Sequence, residues 1–473
     1  MTLGFEFILN PRVSILKHNG GIYLVDSKTR TYASINEAMM GFILKPDSSN
    51  FLNDEELKKV KNAIEYLRQI GILIAPGGSV RAEVPVKEDI SNITRLHVFV
   101  TNKCNLRCVY CYAHGGDTSE TISEGIWRPA LDYFFSNLGS IDPQKTMKNN
   151  KVSLTIHGGG EPTVEFDMLK RIVTYFCKSA HAKGFAPSIV MGSNGTYDDS
   201  VNRWIIENDI NVNISLDGPS DVHNRLRPFR SGQPSYYLVI RNIQHLVQAG
   251  KRVSIRATIT NSSVNAMEET VELAREIGLA AVHFEPVTLS GRATSSLVSR
   301  PCAEKFADNF LKCFLLGLKY DIDVKCSVMH CFGHIRQRFC SACGYNFCLT
   351  PEGNITTCYE VLDSRDPAAR IFFIGQVDAI RKRVMLDQSR IEILKQRIAD
   401  NMEACNGCFL RYQCAGDCPV KSIRYSKFDI YSPDPFRCQI AQRINATLIA
   451  WLADGVIAPR DSEKARVVAL NTI

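Results

Sequence analysis

A unit of one strand and one helix repeats six times between residues 94 and 287, and this repeat restricts the fold more than any other feature. In each unit a β-rich apolar segment precedes a stretch with helical periodicity, which predicts parallel βα architecture. In barrels of such units, loops after the carboxyl ends of the strands build the active site, so polar residues there are the first functional candidates. The strands are expected near residues 94–101, 152–157, 187–192, 212–216, 252–258 and 280–285.

The loop after the first strand carries Cys104, Cys108 and Cys111 in the run CNLRCVYC, with Tyr110 directly before the last cysteine. Three thiolates can hold three irons of a cubane iron–sulfur cluster and leave the fourth iron open. The same residues also suit a structural zinc site or buried free thiols. The spacing alone therefore leaves the metal open.

Two further loops hold residues that suit a polar ligand. The second strand is followed by GGGEP, in which Gly159 and Gly160 permit close backbone approach and Glu161 can accept hydrogen bonds from an ammonium group. The third strand ends at Ser193 and Asn194. These side chains can bind hydroxyl groups or cap the next helix, and for Asn194 both roles stay open.

The last three strands add charged residues. The fourth strand runs into SLDGP, which contains Ser215 and Asp217, and Arg225 follows in the run HNR. Arg256 alternates with apolar neighbours on the fifth strand, so it is expected to point into the barrel, where an unpaired arginine is costly. Glu285, at the end of the sixth strand, is a candidate counter-ion or substrate contact, because structural ion pairs and functional groups share this pattern.

The spacing CxxxCxxC with an aromatic residue before the last cysteine resembles the radical S-adenosylmethionine (radical SAM) superfamily, as do GGEP and SLDGP. The resemblance implies an α/β fold with a partial (βα)6 TIM barrel that is open on one side for a large substrate. It also implies a 4Fe–4S cluster on Cys104, Cys108 and Cys111, whose open iron binds S-adenosyl-L-methionine (SAM). Reductive cleavage of SAM then gives a 5′-deoxyadenosyl radical, which abstracts hydrogen from the substrate.

The same resemblance implies a set of residues that contact SAM. The glycine-rich run corresponds to residues that bind its amino group, and the third and fourth strands supply candidates for the ribose and methionine. Arg225 or Arg256 would pair with the carboxylate. The whole set is Tyr110, Gly159, Gly160, Glu161, Ser193, Asn194, Ser215, Asp217, Arg225 and Arg256.

The C-terminal third of the chain is rich in cysteine. Its CxxC pairs, taken alone, fit a zinc ribbon. Seven or eight thiolate ligands are too many for one zinc ion and suit two cubane clusters. The candidate ligands are Cys340, Cys343, Cys358, Cys405, Cys408, Cys414, Cys418 and Cys438.

This cysteine pattern resembles the SPASM domain, which carries two auxiliary 4Fe–4S clusters. The resemblance places Cys358 and Cys418 with Cys340 at the cluster nearer the barrel. The spacing does not decide whether Cys343 or Cys348 is a further ligand there. The farther cluster would be held by Cys405, Cys408, Cys414 and Cys438.

Residues 1–82 predict a separate small domain. Two apolar strands flank the turn at residues 19–21, a third strand is expected near Thr31, and helices follow Asn36 and Asn53. This order, with the segment YLVDSKTRTYASIN, resembles the RiPP recognition element, a winged-helix domain that binds the leader of a precursor peptide. The second helix mixes lysines with glutamates, which makes a poor phosphate-binding face, so nucleic acid is not an expected partner.

The sequence predicts five further segments after this domain. Apolar periodicity in residues 291–330 predicts that Cys302 and Cys313 are buried core thiols. The segments are a linker at 83–93, the barrel at 94–290, a helical bridge at 291–330, the SPASM domain at 331–455 and a tail at 456–473.

The amino-acid composition restricts where the protein is expected to be located and what its cysteines are expected to do. The chain has 473 residues and a net charge of +7, with no apolar run long enough to span a membrane and no signal-peptide pattern, which indicates a cytoplasmic protein without a membrane partner. Its 17 cysteines, without an export signal, favour reduced metal-binding thiols over disulfides.

We therefore predict a radical SAM enzyme that oxidatively modifies a ribosomally made precursor peptide and forms a thioether or carbon–carbon cross-link. The auxiliary clusters would accept an electron or anchor a substrate thiolate, and a ferredoxin or flavodoxin would reduce the first cluster. One alternative is a formylglycine-forming enzyme of the sulfatase-maturase type. That family carries an aspartate after the cysteine corresponding to Cys358, where this chain has Tyr359 and Glu360.

A zinc-stabilised winged-helix regulator of nucleic acid is the alternative from another class of protein. It would use the cysteines of the C-terminal region as zinc ligands. It leaves the GGEP and SLDGP runs without a purpose, so the enzyme is the preferred interpretation.

Overall fold

A computed structural model describes most of the chain. The predicted linker at 83–93 lies outside the described residues, as do Cys331 and most of the predicted tail. The described residues are 7–45, 53–77, 94–138, 150–294, 298–330, 335–427, 429–457 and, for the backbone alone, 466–469.

The N-terminal domain is a small antiparallel sheet with two helices. Asn36 caps the first helix, and Asn53 forms a capping box with Glu56 at the start of the second, as the sequence predicts. Gly71 ends the second helix at φ +82°. The elements are β1 (Ile8–Leu9), β2 (Ser14–His18), β3 (Gly21–Asp26), β4 (Thr31–Ile35), α1 (Glu37–Leu44), α2 (Asp54–Gln69) and β5 (Leu73–Ile74).

The central part is an open barrel of parallel strands with helices on its outer face, and all six predicted strands are present. The strands are β6 (Arg95–Phe99), β7 (Lys151–His157), β8 (Ala186–Ser193), β9 (Asn211–Ser215), β10 (Ser254–Ile259) and β11 (Ala281–Pro286). The helices are α3 (Glu124–Asn137), α4 (Phe166–Ala182), α5 (Asp199–Glu207), α6 (Ser220–Leu226), α7 (Tyr236–Gln248) and α8 (Met267–Glu276).

Alternation along each strand separates an apolar outer face from a more polar inner one. In β7, Val152, Leu154 and Ile156 are fully buried beneath the helices, while the residues between them are less buried and face the barrel interior. The same alternation on β10 and β11 turns Arg256 and His283 inward. The interior is therefore lined by side chains that can bind a polar ligand.

The segment 291–330 is more than the predicted helical bridge. Helix α9 (Ala303–Tyr320) ends at Asp321, which adopts the left-handed conformation at φ +56° and reverses the chain. Strand β12 (Asp323–Lys325) then pairs parallel with β11. The bridge thus adds a seventh parallel strand beyond the six that the sequence predicts.

The C-terminal region continues the barrel sheet on its other edge. Strand β13 (Phe347–Leu349) pairs parallel with β6, and three antiparallel strands follow, which completes a sheet of 11 strands. The strands are β14 (Asn354–Thr356), β15 (Phe373–Asp378) and β16 (Arg383–Leu386). The helices are α10 (Ala369–Phe372), α11 (Gln388–Lys395), α12 (Arg411–Cys414), α13 (Pro419–Ser426) and α14 (Pro435–Ala453).

Part of the predicted tail is a strand. Strand β17 (Arg466–Ala469) pairs parallel with β4, from Thr31 to Ser34. Without it, β4 would be an edge of the N-terminal sheet with unpaired backbone groups. This long-range pairing covers that edge.

The N-terminal domain packs on α14 and on the cysteine-rich segment. Tyr23 donates a hydrogen bond to Asp454 at 2.9 Å, and Gln413 Nε2 donates to the carbonyl oxygen of Ser27 at 2.8 Å. Within the described ranges, no helix has the length and apolar composition needed to cross a membrane.

Candidate active site

The loop after β6 brings the three motif cysteines together. Cys108 is buried, and Cys104 and Cys111 are partly exposed. The pKa of Cys104 is raised to about 11 and that of Cys108 to about 12, mainly by burial and in part by the neighbouring thiols. Sulfur atoms close enough to affect one another electrostatically are what a cluster with thiolate ligands requires.

Two arginines hold the shape of this loop. Arg107 donates hydrogen bonds to the carbonyl oxygens of Gly115 at 2.9 Å and Gly116 at 2.8 Å. Arg292, from the segment after β11, donates from Nε to the carbonyl oxygen of Cys108 at 3.0 Å. The cysteine loop is thus fixed from both sides before any ligand binds.

The glycine-rich loop after β7 lies directly against the cysteine loop. A Cβ on Gly160 would overlap the backbone oxygen of Lys103, and a Cβ on Gly115 would lie 2.8 Å from the carbonyl oxygen of Gly159. Only glycine allows these backbones to approach so closely. The two loops therefore form one surface, as the predicted roles of Gly159 and Gly160 require.

Glu161 joins the loops after β7 and β8. Its carboxylate accepts hydrogen bonds from Ser193 Oγ at 2.9 Å, the Asn194 amide at 2.6 Å and Thr163 Oγ1 at 2.7 Å. Burial raises the pKa of Glu161, and these hydrogen bonds oppose the shift. The carboxylate predicted to bind the SAM amino group thus already has several protein donors, so it also positions the surrounding loops.

Asn194 and Ser193 also have protein partners. Asn194 Nδ2 donates to Asn105 at 2.8 Å and lies 3.9 Å from the sulfur of Cys104, while its Oδ1 accepts from the amide of Thr196. Ser193 Oγ accepts from the Gly195 amide at 3.0 Å. The structure therefore supports the loop-forming role for Asn194 and brings it beside the first cysteine.

A buried cluster links Tyr110 of the cysteine loop to Asp217 and Arg227. Tyr110 donates a hydrogen bond to Asp217, and Arg227 Nε donates to the same carboxylate at 2.9 Å. The other Asp217 oxygen accepts from the Thr258 amide at 2.9 Å. Asp217, predicted to face SAM, is therefore fully engaged in holding the tyrosine, the end of α6 and the backbone of β10.

Arg227 is a residue that the sequence interpretation missed. It lies 3.9 Å from the sulfur of Cys108, and its guanidinium is 5.2 Å from the Tyr110 ring centroid. Arg225, the residue selected from sequence, is exposed on α6 and is not part of this cluster. The register of a short helix decides which arginine turns inward, and the signal that could have found Arg227 is its position one turn after His223.

The barrel interior brings Arg256 near an aromatic stack. His157 and Tyr359 stack with ring centroids 4.9 Å apart, and His97 lies 6.0 Å from Tyr359. The Arg256 charge lies close enough to contribute to the lowered pKa of His157, whose main cause is burial. Ser215 pairs with Arg256 in register across β9 and β10, so both predicted residues share one region of the barrel.

Glu285 belongs to a buried ion network rather than to a simple pair with Arg256. It accepts from Lys421 at 2.7 Å and from Arg437 at 3.0 Å. Arg437 also contacts Asp417 at 2.6 Å. The network connects the barrel to the residues that flank Cys418.

The nearer auxiliary cysteines also converge. The thiol of Cys340 lies within electrostatic reach of Cys343 and Cys418, and that of Cys358 within reach of Cys418 and Cys340. Burial alone raises the pKa of Cys348. The arrangement favours Cys343 over Cys348 as the fourth ligand, which the spacing left open.

The farther set surrounds one small cavity, lined by Cys405, Cys408, Cys414 and Cys438 together with Gly416 and Gln442. In the described part of the chain, no three His, Cys, Asp or Glu side chains are close enough to share a single metal ion. Four sulfur atoms around one cavity are a donor set that selects zinc or an iron–sulfur cluster. The farther cysteine set is therefore a candidate site for a metal ion or an iron–sulfur cluster.

The sequence from 98 to 274, which supplies the first cysteine set and the loops around it, matches the Radical SAM superfamily. These residues form a radical SAM domain. A 4Fe–4S cluster and SAM are the cofactors of that family. The solved structures below share the fold beyond this domain, and the SPASM domain stays a prediction from the cysteine pattern.

The chain has curated relatives of low identity. The sporulation killing factor maturation protein SkfB of Bacillus subtilis (strain 168) is 23% identical over 307 residues, which is 60% of this chain and 67% of SkfB. The curated relatives match over 44–70% of their own length at 23–26% identity.

Solved structures share the fold of the chain. Native anSMEcpe with bound AdoMet and Cp18Cys peptide has a TM-score of 0.59 and 16% identity, covering 76% of this chain and 99% of that one. Streptococcus suis SuiB bound to S-adenosylmethionine has a TM-score of 0.51 and 14% identity, covering 91% of this chain and 99% of that one. The predicted α/β fold is confirmed.

Proposed function

We propose that this chain is a peptide maturase that removes a hydrogen atom from a ribosomally made precursor peptide and closes a thioether or carbon–carbon cross-link. The observation that carries the proposal is the convergence of two cysteine sets on one barrel interior. Tyr359, next to Cys358, stacks on His157, next to the glycine-rich loop. A substrate in the barrel would therefore lie between the site of the radical and the first auxiliary site.

Cys104, Cys108 and Cys111 would hold the cluster that, together with SAM, would supply the radical chemistry, and the auxiliary cysteines would hold clusters able to take up an electron. The residues of this chain hold the geometry. Glu161 fixes the loops on which SAM would lie, and Asp217 fixes Tyr110 beside the first cluster site. Arg256 and Ser215 remain candidates for SAM or substrate contact inside the barrel.

The position of the N-terminal domain supports the proposal that the substrate is a large peptide. The domain packs on α14 and reaches the segment of the farther cysteine set through Gln413 and Ser27. SkfB is named a maturation protein, and SuiB has been solved with the precursor peptide SuiA. We assign leader recognition to residues 1–82, and electron delivery to a ferredoxin or flavodoxin.

The sulfatase-maturase alternative is not favoured by the residues after Cys358. Tyr359 stacks in the barrel wall, and Glu360 accepts from Arg424 at 2.9 Å and lies 3.6 Å from Lys421. Tyr359 has no carboxylate, and the carboxylate of Glu360 is held by Arg424 and Lys421. Neither residue therefore replaces the aspartate that the sulfatase-maturase family carries at this position. The overall likeness to anSMEcpe therefore reflects the fold.

The experiment combines the full-length reconstituted enzyme, SAM and a reductant with a precursor peptide encoded beside this chain, under anaerobic conditions. A new peptide product that requires both SAM and the leader is expected. A matched peptide with a scrambled leader should lose binding and modification, while slow SAM cleavage without peptide persists. Equal modification of both peptides would contradict leader recognition, and absence of product with both would contradict the maturase itself.

A further inference from the structure

The barrel contains a cavity of about 230 Å³ on the side of its last strands. It is lined by residues of β9, β10, β11 and β12, among them Arg256, which remains a candidate for SAM or substrate contact. Three of the six polar side chains around it carry or can carry positive charge, and one is a carboxylate. The six are Asn213, Ser254, Arg256, His283, Asp323 and Lys325.

His283 in this cavity is paired with a carboxylate on the same strand. Its Nε2 lies 3.4 Å from Glu285 Oε2, because residues two apart on β11 face the same side. The other oxygen of Glu285 accepts from Ser327 at 2.9 Å, as well as from Lys421 and Arg437. The carboxylate is thus held firmly, and it orients the imidazole as in other carboxylate–histidine pairs.

Arg256 approaches the same ring nitrogen, Nε2, as Glu285 does, so only one of the two can hydrogen-bond it in a given tautomer. Arg256 Nη2 is 3.4 Å from His283 Nε2, and within the described part of the chain no carboxylate lies within 4 Å of this guanidinium. His283 pairs in register with Arg256, and Arg256 pairs in register with Ser215. His283 therefore lies beside the two residues that remain candidates for SAM or substrate contact.

The proposed cross-link requires a base. Formation of one new bond with loss of two hydrogens releases one hydrogen atom to the 5′-deoxyadenosyl radical, one electron to an oxidised iron–sulfur cluster and one proton to the protein. Among the cavity-lining residues, Arg256 and Lys325 are cations, and Asp323 is paired with Lys325. Only His283 offers an unprotonated nitrogen there at neutral pH.

We propose that His283, oriented by Glu285, is the catalytic base that accepts the proton released when the substrate radical is oxidised to the cross-link. The proposal rests on the maturase function above. A proton on Nε2 faces Glu285, which leaves Nδ1 with the lone pair for the substrate proton, and the resulting imidazolium is stabilised by the carboxylate. Glu285 is a positioning residue.

The first test replaces His283 with Gln in the full-length reconstituted enzyme. Product formation from the precursor peptide should fall about 10²-fold or more, the range for loss of a general base, whereas 5′-deoxyadenosine formation continues. Arg252→Gln, at an exposed position just before β10, is the matched control and should keep the product rate. Wild-type product formation by His283→Gln would overturn the proposal without affecting the maturase function, which the wild-type reaction tests by itself.

The second test measures how the product rate depends on pH. If His283 is the base, replacing Arg256 and replacing Glu285 should shift this dependence in opposite directions, which a structural role of His283 would not produce. Burial lowers the pKa of His283 from its ordinary value of 6.5, Glu285 opposes this shift, and Arg256 and Lys421 add to it. The base is active when neutral, so the product rate rises with pH through this pKa. The other charged groups near His283 and Glu285 are Arg437 and the ion pair between Lys325 and Asp323.

The direction in which the pH dependence shifts can therefore be predicted for removal of Arg256 and of Glu285. Arg256→Gln should move the acid limb of the product rate to higher pH, and Glu285→Gln should move it to lower pH, both at saturating SAM. If Glu285→Gln does not fold, Arg256→Gln decides alone, because its exposed side chain is not part of the packed core. An unmoved limb in Arg256→Gln, or shifts of both variants in one direction, would overturn the role of His283.

Discussion

Tyr359 stacks on His157, with ring centroids 4.9 Å apart and ring planes 26° from parallel. Each ring adjoins a different functional element in sequence: Cys358 of the auxiliary set, and the glycine-rich loop that begins at Gly158. The contact therefore joins the barrel to the auxiliary domain at the level of the reaction site. It follows from the pairing of β13 with β6, which makes the two domains one continuous sheet.

Charge next to the nearer auxiliary site should set its reduction potential. Lys421 is buried and its charge acts on the thiol of Cys418, so removing it disfavours the more negative, reduced cluster. Lys421→Met should lower the midpoint potential by at least about 59 mV, which corresponds to a tenfold change in the equilibrium constant of a one-electron reduction. Lys427→Met, at an exposed site on the end of the same helix, is the control.

The titration is followed by electron paramagnetic resonance in a background where Cys104, Cys108 and Cys111 are alanine, so that the first cluster gives no signal. An unchanged potential in Lys421→Met would show that the ion network only supports the fold.

The Asp217–Arg227 pair should contribute strongly to stability. Its side chains are 0% and 10% exposed, and removing one partner of a buried ion pair costs about 3–5 kcal/mol. Asp217→Asn should therefore lower the free energy of unfolding by about that amount in urea titrations. Tyr110→Phe removes one hydrogen bond to the same carboxylate and should cost about 1 kcal/mol. Equal losses in the two variants would contradict the central place of the ion pair.

Close approach of two backbones should make Gly160 intolerant of any side chain. Gly160→Ala would push the glycine-rich loop away from Lys103 and is expected to abolish SAM cleavage. Gly41→Ala is the control, because a Cβ there meets nothing within 4 Å, and alanine suits a helix better than glycine does. Cleavage of SAM at the wild-type rate by Gly160→Ala would show that the loop is free to move.

Strand periodicity and helix caps were sufficient to predict most of the fold. Alternation of apolar residues marked all six barrel strands, and Asn53 marked the start of α2, because both signals are local. Strand β17 escaped prediction because its pairing with Thr31–Ser34 joins residues more than 400 positions apart. Strand β12 escaped because three residues are too few to show a period.

The candidate site also has features that local sequence predicts and features that depend on distant residues. Spacing identified the cysteine sets, since ligands that share one cluster recur at short intervals. The partners of buried charges could not be predicted, because they come from distant elements: Arg227, just after α6, holds Asp217, and Glu285 takes its cations from α13 and α14. Only the folded chain shows these pairings.

Metal content separates the cluster interpretation from the zinc alternative. Anaerobically reconstituted protein should contain about twelve irons per chain, four for each of three clusters, with matching sulfide. Replacing Cys104, Cys108 and Cys111 with alanine should remove a third of the iron and all SAM cleavage, because the auxiliary ligands are separate residues. About four irons with tightly bound zinc would assign the C-terminal cysteines to zinc.

The mass of the peptide after anaerobic turnover tests the central claim most directly. A maturase that passes an electron to its auxiliary sites must leave the peptide oxidised. The expected result is a product lighter by two hydrogens, with one 5′-deoxyadenosine formed for each product. A peptide of unchanged mass with an inverted stereocentre would mean epimerisation, and would contradict both the cross-link and the proposed role of the auxiliary cysteines.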